Sequence, residues 1–391
     1  MIRKQWVIVL LIAALLVSGF AAPRAQAQGT SVLYVGYLGP ADSPAANGAQ
    51  LAIDQINNSG GFTGADGVTY RFELLMLTGT PTAGNLAATV SAFAAQDVVA
   101  LLGPDNNALF TEENLAAMTS TGLPYLTPAS FDTLTDGDAD DVFLRIAAPN
   151  YVYSNALATY MIDDLGLSSF ALVQTDVDST EALIDFETVL QARGISVAEK
   201  IQLSSGDTLA AEANGLLSVN PEAVVMWGSH DDALTLLQLL RDNGWTGRFA
   251  YRHAEEAARA GVIPDALASS MLGVTNWSYA YTTRASRVFL QDYLTTFGEV
   301  PGPLAAATYD GMWSLRAAII SAGTDSAAVR SALSSASSLA LVQGSLRPAE
   351  FGNGDIVRMA MVYELGSGGG PTVVAVFDNT SRTSLVDDGN L

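Results

Sequence analysis

A repeated alternation of short apolar runs with longer amphipathic stretches is the feature that most constrains the fold of this chain. Residues 31–38 form an apolar run of strand length, followed by a loop of Gly, Pro, Asp and Ser. Residues 45–58 come next, with small or aliphatic residues at i, i+3, i+4 and i+7 from Ala49 to Ile56, which is the spacing of a helix face. Because this unit repeats along the chain, it predicts parallel β-sheets covered by helices, an α/β fold.

The alternation restarts after residues 142–145, which predicts a second sheet and therefore two lobes. The predicted strands are residues 31–38, 70–77, 98–102 and 124–126 in the first sheet and 170–174, 223–227, 248–251 and 271–276 in the second. The length agrees, since 391 residues exceed the roughly 250 to 300 at which one hydrophobic core stops growing. No long linker separates the halves, so we expect a hinge of several crossings, near residues 146–150, 276–279 and 346–354.

The N-terminus has the composition of a secretory signal peptide, residues 1–27. Arg3 and Lys4 precede an apolar run over residues 6–20, and a tripeptide Ala-Gln-Ala ending at Ala27 has the pattern that a signal peptidase cleaves. We expect cleavage after Ala27 and export of a soluble protein to the periplasm or the extracellular space. An uncleaved anchor is disfavoured, since about 15 apolar residues are short for a bilayer core of about 30 Å. The lack of cysteine argues against a lipid anchor and disulfides.

The chain is strongly acidic, with 40 Asp and Glu against 18 Lys and Arg and a formal net charge of −22 at pH 7. A surface of this sign repels nucleic acid and anionic lipid, so neither is expected as a partner. Solubility outside the cell is the simpler reason for such acidity. Attraction of a cationic ligand is the alternative.

Motifs of common enzyme families are absent from the sequence. The G-x-S-x-G, H-E-x-x-H and P-loop patterns do not occur, and with no Cys and two His the usual pairs of nucleophile and base are scarce. The D-x-D-x-D run from Asp136 has Asp141 where a calcium loop needs Gly and Ala147 where it needs Glu. The glycine-rich residues 366–370 follow no dinucleotide-binding pattern and are expected to form a turn between strands. We therefore expect no enzymatic activity, no metal and no cofactor.

Six short segments, taken in order, resemble one known family. They include Gly39-Pro40 after the first strand and Tyr309-Asp310-Gly311 at the start of a late helix, and the full set is residues 35–40, 48–61, 99–104, 123–130, 143–145 and 309–311. Their order and spacing are similar to those of the periplasmic branched-chain amino acid (Leu/Ile/Val) binding proteins. These are the type I solute-binding proteins of ABC importers. The resemblance extends over residues 31 to 378.

The resemblance implies a type I periplasmic-binding-protein fold, with two doubly wound parallel-sheet lobes joined by a hinge of several crossings. The first lobe would comprise residues 28–147 plus 278–350, and the second lobe residues 148–277 plus 351–391. It also implies capture of a small molecule in the cleft between the lobes. The expected partners are that ligand and an ABC permease and ATPase complex, with the protein itself a monomer.

A ligand-sensing module of a receptor or regulatory system is the alternative function, because the same fold serves both. Such a receptor would normally carry a second membrane segment or a signalling domain in the same chain, and we find neither in this sequence. We therefore expect transport.

Candidate ligand contacts follow the predicted strands, because a ligand of this fold lies between the carboxyl ends of the two sheets. The first-lobe candidates are Tyr37, Leu38, Asn106, Asn107, Ser130 and Phe131. The second-lobe candidates are Ser179, Ser229, His230, Arg252, His253 and Trp277. For each polar residue the alternative role is a helix cap or an ordinary loop donor.

The candidates depart from what the resemblance implies for an amino-acid ligand. Members that bind amino acids hold the carboxylate with Ser and Thr of the first lobe, where this chain has Phe131 in place of Thr. They hold the ammonium with an acidic residue, where this chain has His253 after Arg252. Neither imidazole nor guanidinium can neutralise an ammonium. We therefore predict a carboxylate, amide or aromatic acid as ligand, although a slip of two or three residues would place Glu255 or Glu256 there and keep an amino acid open.

Two further hypotheses concern side chains with distinctive chemistry. His230 and His253 are the only histidines, and both follow second-lobe strands, so ligand contact would make affinity depend on pH near 6.5. Surface loop positions are the alternative for both. Trp277 is a candidate for the cleft wall, with core packing as its alternative.

Overall fold

The first sheet is built by strands of the N-terminal third of the chain. In the computed structural model, which describes residues 30–77, 79–175, 180–203 and 209–383, these strands are β1 (Ser31–Tyr37), β2 (Phe62–Thr63), β3 (Thr69–Met76), β4 (Ala100–Leu102), β5 (Tyr125–Thr127) and β6 (Phe143–Arg145). Their order is β2-β3-β1-β4-β5-β6, and every pair is parallel except β2 with β3. The carboxyl ends of the parallel strands therefore share one edge.

Helices between these strands cover both faces of the first sheet. They are α1 (Pro44–Asn58), α2 (Leu86–Ala94), α3 (Glu112–Thr121) and the single turn α4 (Thr133–Asp136). Ser43 starts α1 because its hydroxyl accepts from the amide N–H of Ala46 at 3.2 Å, and Pro44 fits the first helical position. The predicted apolar face of α1, including Ala49 and Ile56, is buried.

The chain then crosses and builds a second sheet from five consecutive parallel strands. They are β7 (Phe170–Gln174), β8 (Val197–Gln202), β9 (Ala223–Trp227), β10 (Arg248–Tyr251) and β11 (Leu272–Thr275). The helices here are α5 (Asn150–Thr159), α6 (Thr180–Ala192), α7 (Leu209–Val219), α8 (His230–Asp242), α9 (Ala254–Arg259) and α10 (Asp265–Ala268). All residues of β7, β9 and β11 are buried because helices cover both faces of the sheet.

After β11 the chain returns to the first lobe and then leaves it again. The returning segment forms α11 (Arg284–Phe297), α12 (Pro303–Ala322), α13 (Ser326–Ser334) and a hairpin of β12 (Leu339–Leu341) and β13 (Gly344–Leu346). Helix α12 packs along α1. The last strands, β14 (Met359–Leu365), β15 (Pro371–Asp378) and β16 (Ser381–Thr383), join the second sheet antiparallel in the order β16-β15-β14-β11-β10-β9-β7-β8. Two mainly parallel sheets under helices confirm the predicted fold class.

Three segments connect the lobes, as the sequence predicts, but the third lies later than expected. The first links β6 to α5, and the second passes from β11 to Trp277, whose side chain is in the core of the first lobe. In the third, Ile356 and Val357 still pack in the first core, whereas Ala360 packs in the second. The hairpin β12–β13, which was not predicted, keeps the chain in the first lobe for longer.

Buried polar pairs hold these connections together. Arg145, at the end of β6, is fully buried and forms an ion pair with Asp355 of the third connection at 3.2 Å. In the second connection, the amide of Asn276 donates to Gln343 Oε1 at 2.6 Å. The amide of Gln343 in turn donates to buried Asp310 of α12 at 2.9 Å. Burial raises the pKa of the Asp310 carboxyl to about 7.

Within the described residues, no helix is long and apolar enough to cross a membrane. The predicted cleavage position at Ala27 and the candidate ligand contact Ser179 lie outside the described residues.

Candidate functional site

A cleft lies where the carboxyl ends of the two sheets face each other. It contains a cavity of about 250 Å³, close to the lower size limit of ligand pockets. The cavity is lined by loops that follow strands of both sheets and by the first two connections between the lobes. The lining residues are Asp105, Asn106, Asn107, Pro128, Ser130, Ala147, Asn150, Tyr153, Trp227, Arg252, His253, Glu256, Asn276, Pro303 and Leu304.

A second, more open cavity of about 400 Å³ adjoins the first. The two share His253, Glu256 and the first-lobe residues Pro303 and Leu304. The outer cavity adds Pro44, His230, Arg259 and Gly302. The cleft therefore continues outward past the side chains of His253 and Glu256.

The first-lobe wall consists mainly of amide and hydroxyl groups that are bonded to one another. Asn107 follows β4 and its Nδ2 donates to Ser130 Oγ at 3.3 Å, while the backbone N–H of Ser130 donates to Asn107 Oδ1 at 3.1 Å. Asn106 Oδ1 accepts from the N–H of Ala108 at 3.0 Å. Asp105 is the acidic group of this wall, and burial raises the pKa of its carboxyl. This wall is held in place by its own hydrogen bonds.

The second-lobe wall consists of charged and aromatic side chains. The guanidinium of Arg252, just beyond β10, lies 3.9 Å from the ring centroid of Tyr153 on α5 and donates to the carbonyl of Val274. Trp227, the last residue of β9, also lines the cavity. Among the described residues, its indole Nε1 has no hydrogen-bond partner although it is buried.

His253 and Glu256 form a pair between the two cavities, with Nδ1 of His253 2.5 Å from Oε2 of Glu256. Burial acts to raise the pKa of the Glu256 carboxyl, but its interactions with His253, Arg252 and Arg259 outweigh burial and lower that pKa to about 2. Glu256 is therefore ionised at neutral pH. The neighbouring Glu255 points elsewhere, accepting from Ser278 Oγ at 2.9 Å, and burial raises the pKa of its carboxyl to about 7.

His230 begins α8 and belongs to the outer cavity. Its Nδ1 lies 2.7 Å from the hydroxyl of Tyr251, and its ring packs edge-on against Tyr251 and His253. Desolvation by burial, followed by the electrostatic interaction with His253, lowers the pKa of His230. This imidazole is therefore neutral at pH 7.

The structure brings half of the sequence candidates into the cleft. Asn106, Asn107, Ser130, Arg252 and His253 line the inner cavity, and His230 lines the outer one.

The other described candidates contact the protein outside these two cavities. The Tyr37 hydroxyl lies 2.7 Å from Ser43 Oγ, and the Leu38 side chain is buried in the first-lobe core. The ring of Phe131 packs on Phe110 with centroids 5.2 Å apart. The remaining two form hydrogen bonds within the protein. Ser229 Oγ caps α8, and the indole of fully buried Trp277 donates to Ser286 Oγ at 2.8 Å.

Several lining residues were not among the sequence candidates. The polar and aromatic ones are Asp105, Asn150, Tyr153, Trp227, Glu256 and Asn276. Asn150 and Asn276 lie at the ends of predicted connections between the lobes, and this position indicates residues close to the cleft. Trp227 is the last residue of an apolar strand, whose side chains are expected in the core, so the sequence carries no signal that it lines the cleft. Glu256 is named in the sequence analysis only as an alternative acidic residue, and its position in the first turn of α9, four residues after Arg252, brings it into the cleft.

Groups of three or more His, Cys, Asp or Glu that could hold a metal ion do not occur in the described parts of the chain. The acidic run from Asp136 has a local role instead, because Asp138 Oδ2 accepts from the backbone N–H of Phe143 at 2.6 Å.

Comparison with known proteins gives one family and many similar structures. The family model described as "Periplasmic binding protein" matches residues 33–369. No curated protein matches the chain.

Three of the similar structures illustrate the range of relatives. LivJ, a branched-chain amino acid transporter substrate-binding protein of Streptococcus pneumoniae in complex with isoleucine, is 20% identical with a TM-score of 0.73, and the match covers 88% of this chain and 99% of that one. The leucine-binding protein LivK of Thermotoga maritima is 19% identical with a TM-score of 0.72, covering 90% and 99%. A solute-binding protein of an ABC transporter from R. palustris in complex with benzoate is 16% identical with a TM-score of 0.71, covering 92% and 99%. At these identities the likeness shows the fold.

Proposed function

Because the chain belongs to the periplasmic binding protein family, we propose that it is the extracytoplasmic solute-binding protein of an ABC importer. It captures a small molecule between its two lobes and presents it to a permease and ATPase complex in the membrane. Binding leaves the ligand chemically unchanged. The signal peptide is removed after Ala27, and the released protein is a soluble monomer.

One observation carries this proposal: the inner cavity of about 250 Å³ is lined by polar groups of both lobes and by the segments that connect them. A ligand that contacts Ser130 on one side and Arg252 on the other stabilises the closed arrangement over the open one. That difference in affinity drives closure by rotation about the connections. The lobes that we propose are residues 28–147 plus 278–350 and residues 148–277 plus 351–391, in which residues 351–357 form the third connection.

The ligand that we propose is a small organic acid, either a simple carboxylate, an aromatic acid or an amino acid. Arg252 supports a carboxylate, because a guanidinium binds that group with two parallel hydrogen bonds. The ligands named for the similar structures, isoleucine and benzoate, also share a carboxylate. Ionised Glu256 supports an amino acid, since it offers the acidic group that an ammonium requires. An amide is the neutral alternative.

A thermal-shift screen of residues 28–391 tests the proposal. The panel comprises aliphatic carboxylates, aromatic acids, amino acids and the corresponding amides. A ligand at 100 times its dissociation constant adds about 2.7 kcal/mol to the free energy of unfolding, which raises the melting temperature by a few degrees. We expect such a shift with at least one acid. A panel without any shift contradicts the proposal.

A further inference from the structure

The indole N–H of Trp227 is the most unusual polar group of the cleft. The Trp227 side chain is 5% exposed, and its Nε1 has no hydrogen-bond partner within the described residues. A buried indole N–H normally donates to a carbonyl or hydroxyl, because leaving it unpaired costs free energy. Elsewhere in the same lobe, Trp245 Nε1 donates to the Pro221 carbonyl at 2.8 Å. Since Trp227 lines the inner cavity, its missing acceptor can come from a ligand.

Strand register places Arg252 beside Trp227. Strands β9 and β10 are parallel, with Ala250 opposite Val225 and Tyr251 opposite Met226, so the next pair in register is Arg252 and Trp227. Side chains that are paired in this way leave the sheet on the same face. That is the face of α5, because Trp227 packs in the core that contains Tyr153, and the Arg252 guanidinium lies over the Tyr153 ring.

These two side chains offer donors only. An indole has one N–H, and a guanidinium has five N–H groups and no acceptor. The acidic group of this wall, Glu256, contacts His253 at 2.5 Å. An acceptor with two oxygens in one plane, a carboxylate, matches such a pair because one oxygen can accept from each side chain.

We propose that Trp227 and Arg252 form a carboxylate subsite on the second-lobe wall of the cleft. The subsite rests on the proposed function and assigns the orientation of its ligand. The acid group lies against the second lobe, opposite to the first-lobe position that the family resemblance implies for amino acids. The remainder of the ligand then faces the amide and hydroxyl groups of Asn107 and Ser130.

Isothermal titration of wild-type protein and two variants tests the subsite. Trp227→Phe keeps an aromatic ring and removes the N–H, and Arg252→Gln keeps donors and removes the charge. The ligands are leucine, isoleucine, benzoate and 4-hydroxybenzoate, each compared with its primary amide. Trp245→Phe is the matched control, since it removes a buried indole N–H of the same lobe outside both cavities.

We expect Trp227→Phe to weaken the binding of the preferred acid by about 10- to 100-fold, the usual effect of losing a hydrogen bond to a charged group. Arg252→Gln should reduce the preference for acid over amide, and Trp245→Phe should leave affinity unchanged. Far-ultraviolet circular dichroism checks that each variant is folded. If Arg252→Gln does not fold, the affinity of Trp227→Phe for the acid tests the subsite by itself.

Three results would overturn the subsite. Unchanged affinity of Trp227→Phe for the acid would reject the subsite and leave the proposed function intact. Tight binding of amides by the wild-type protein, with no binding of acids, would have the same meaning. Binding of no ligand in the panel by the wild-type protein would reject the subsite and the proposed function together.

Discussion

The two walls of the cleft differ in chemistry and in how they are held. On the first-lobe wall, Asn107 and Ser130 are neutral and already satisfy each other through reciprocal hydrogen bonds. On the second-lobe wall, the Arg252 guanidinium stacks on the Tyr153 ring. The indole N–H of Trp227 has no acceptor among the described residues. A preorganised wall of amide and hydroxyl groups orients a ligand at little cost. A charged wall with unmet hydrogen-bonding capacity decides which ligands are accepted.

Breaking the buried ion pair at the connections between the lobes is expected to have the largest effect on stability. Asp355→Ala leaves Arg145 buried without its ionic partner, and such a loss lowers the free energy of unfolding by about 3 to 5 kcal/mol. Urea unfolding measures it. Asp378→Ala is the control, because it breaks the more exposed pair with Arg347 and should cost less than about 1 kcal/mol. Equal losses in the two variants would show that the buried pair has no special role in joining the lobes.

Acid should weaken the charged second-lobe wall selectively, through Glu256. Its pKa is about 2 in the folded protein and about 4.3 when unfolded, so its ionised form contributes stability above pH 4.3 that is lost as pH falls toward 2. A shift of this size corresponds to about 3 kcal/mol. We expect Glu256→Gln to be less stable than wild type by about that amount at pH 6, with the difference shrinking steadily between pH 5 and pH 3.

Urea unfolding at several pH values measures this difference, and Glu113→Gln on the exposed surface of α3 is the control. If the difference in free energy of unfolding between wild type and Glu256→Gln stayed constant from pH 6 to pH 3, ionisation of Glu256 would not stabilise the wall.

A pair of carboxyl groups links the two lobes outside the cavity and should make closure depend on pH. Asp132 of the first lobe contacts Asp185 on α6, and its backbone N–H donates to Glu181 Oε2 at 2.7 Å. Burial, followed by Asp185 and then Glu181, raises the pKa of Asp132 to about 8. Tyr151 N–H donates to its carboxylate, and Arg145 donates to its carbonyl.

Asp185 and Glu181 belong to the second lobe, so their contribution to the raised pKa of Asp132 depends on contact between the lobes, and we expect the closed form to be favoured as pH falls below about 8. Asp185→Asn removes the repulsion, so we expect roughly threefold to tenfold tighter ligand binding at pH 8 and a flatter pH dependence. Titration calorimetry from pH 6 to pH 9 measures both. Glu113→Gln should behave like wild type, and an Asp185→Asn profile parallel to that of wild type would refute the coupling.

The smallest expected change in ligand affinity is that of Trp277→Phe, which is compared with Trp227→Phe. Trp277→Phe changes a side chain buried in the first-lobe core, so ligand affinity should shift by less than about 0.5 kcal/mol and ligand-dependent fluorescence should persist. The same signal should disappear in Trp227→Phe. Loss of the signal in Trp277→Phe alone would reverse the assignment of Trp227 to the cleft.

Much of the fold could be predicted because buried strands carry a clear apolar signal. The predicted strands 170–174 and 223–227 coincide with β7 and β9, and the turn 366–370 joins β14 to β15. Strand β8 was not predicted, because it lies at an edge of the sheet and carries Glu199 and Lys200 on a half-exposed surface. Edge strands need fewer apolar residues, so their pattern does not differ from that of a loop.

The sequence by itself determined the α/β alternation, the two sheets and the loops that reach the cleft, because periodicity and turn residues are local properties. Only the tertiary structure decided which side chains of those loops face the cavity. Trp227 and Trp277 lie at or just beyond strand ends, yet one lines the cleft and the other fills the first-lobe core. Strand register and the path of the connections set these directions, and both depend on residues far away in the chain.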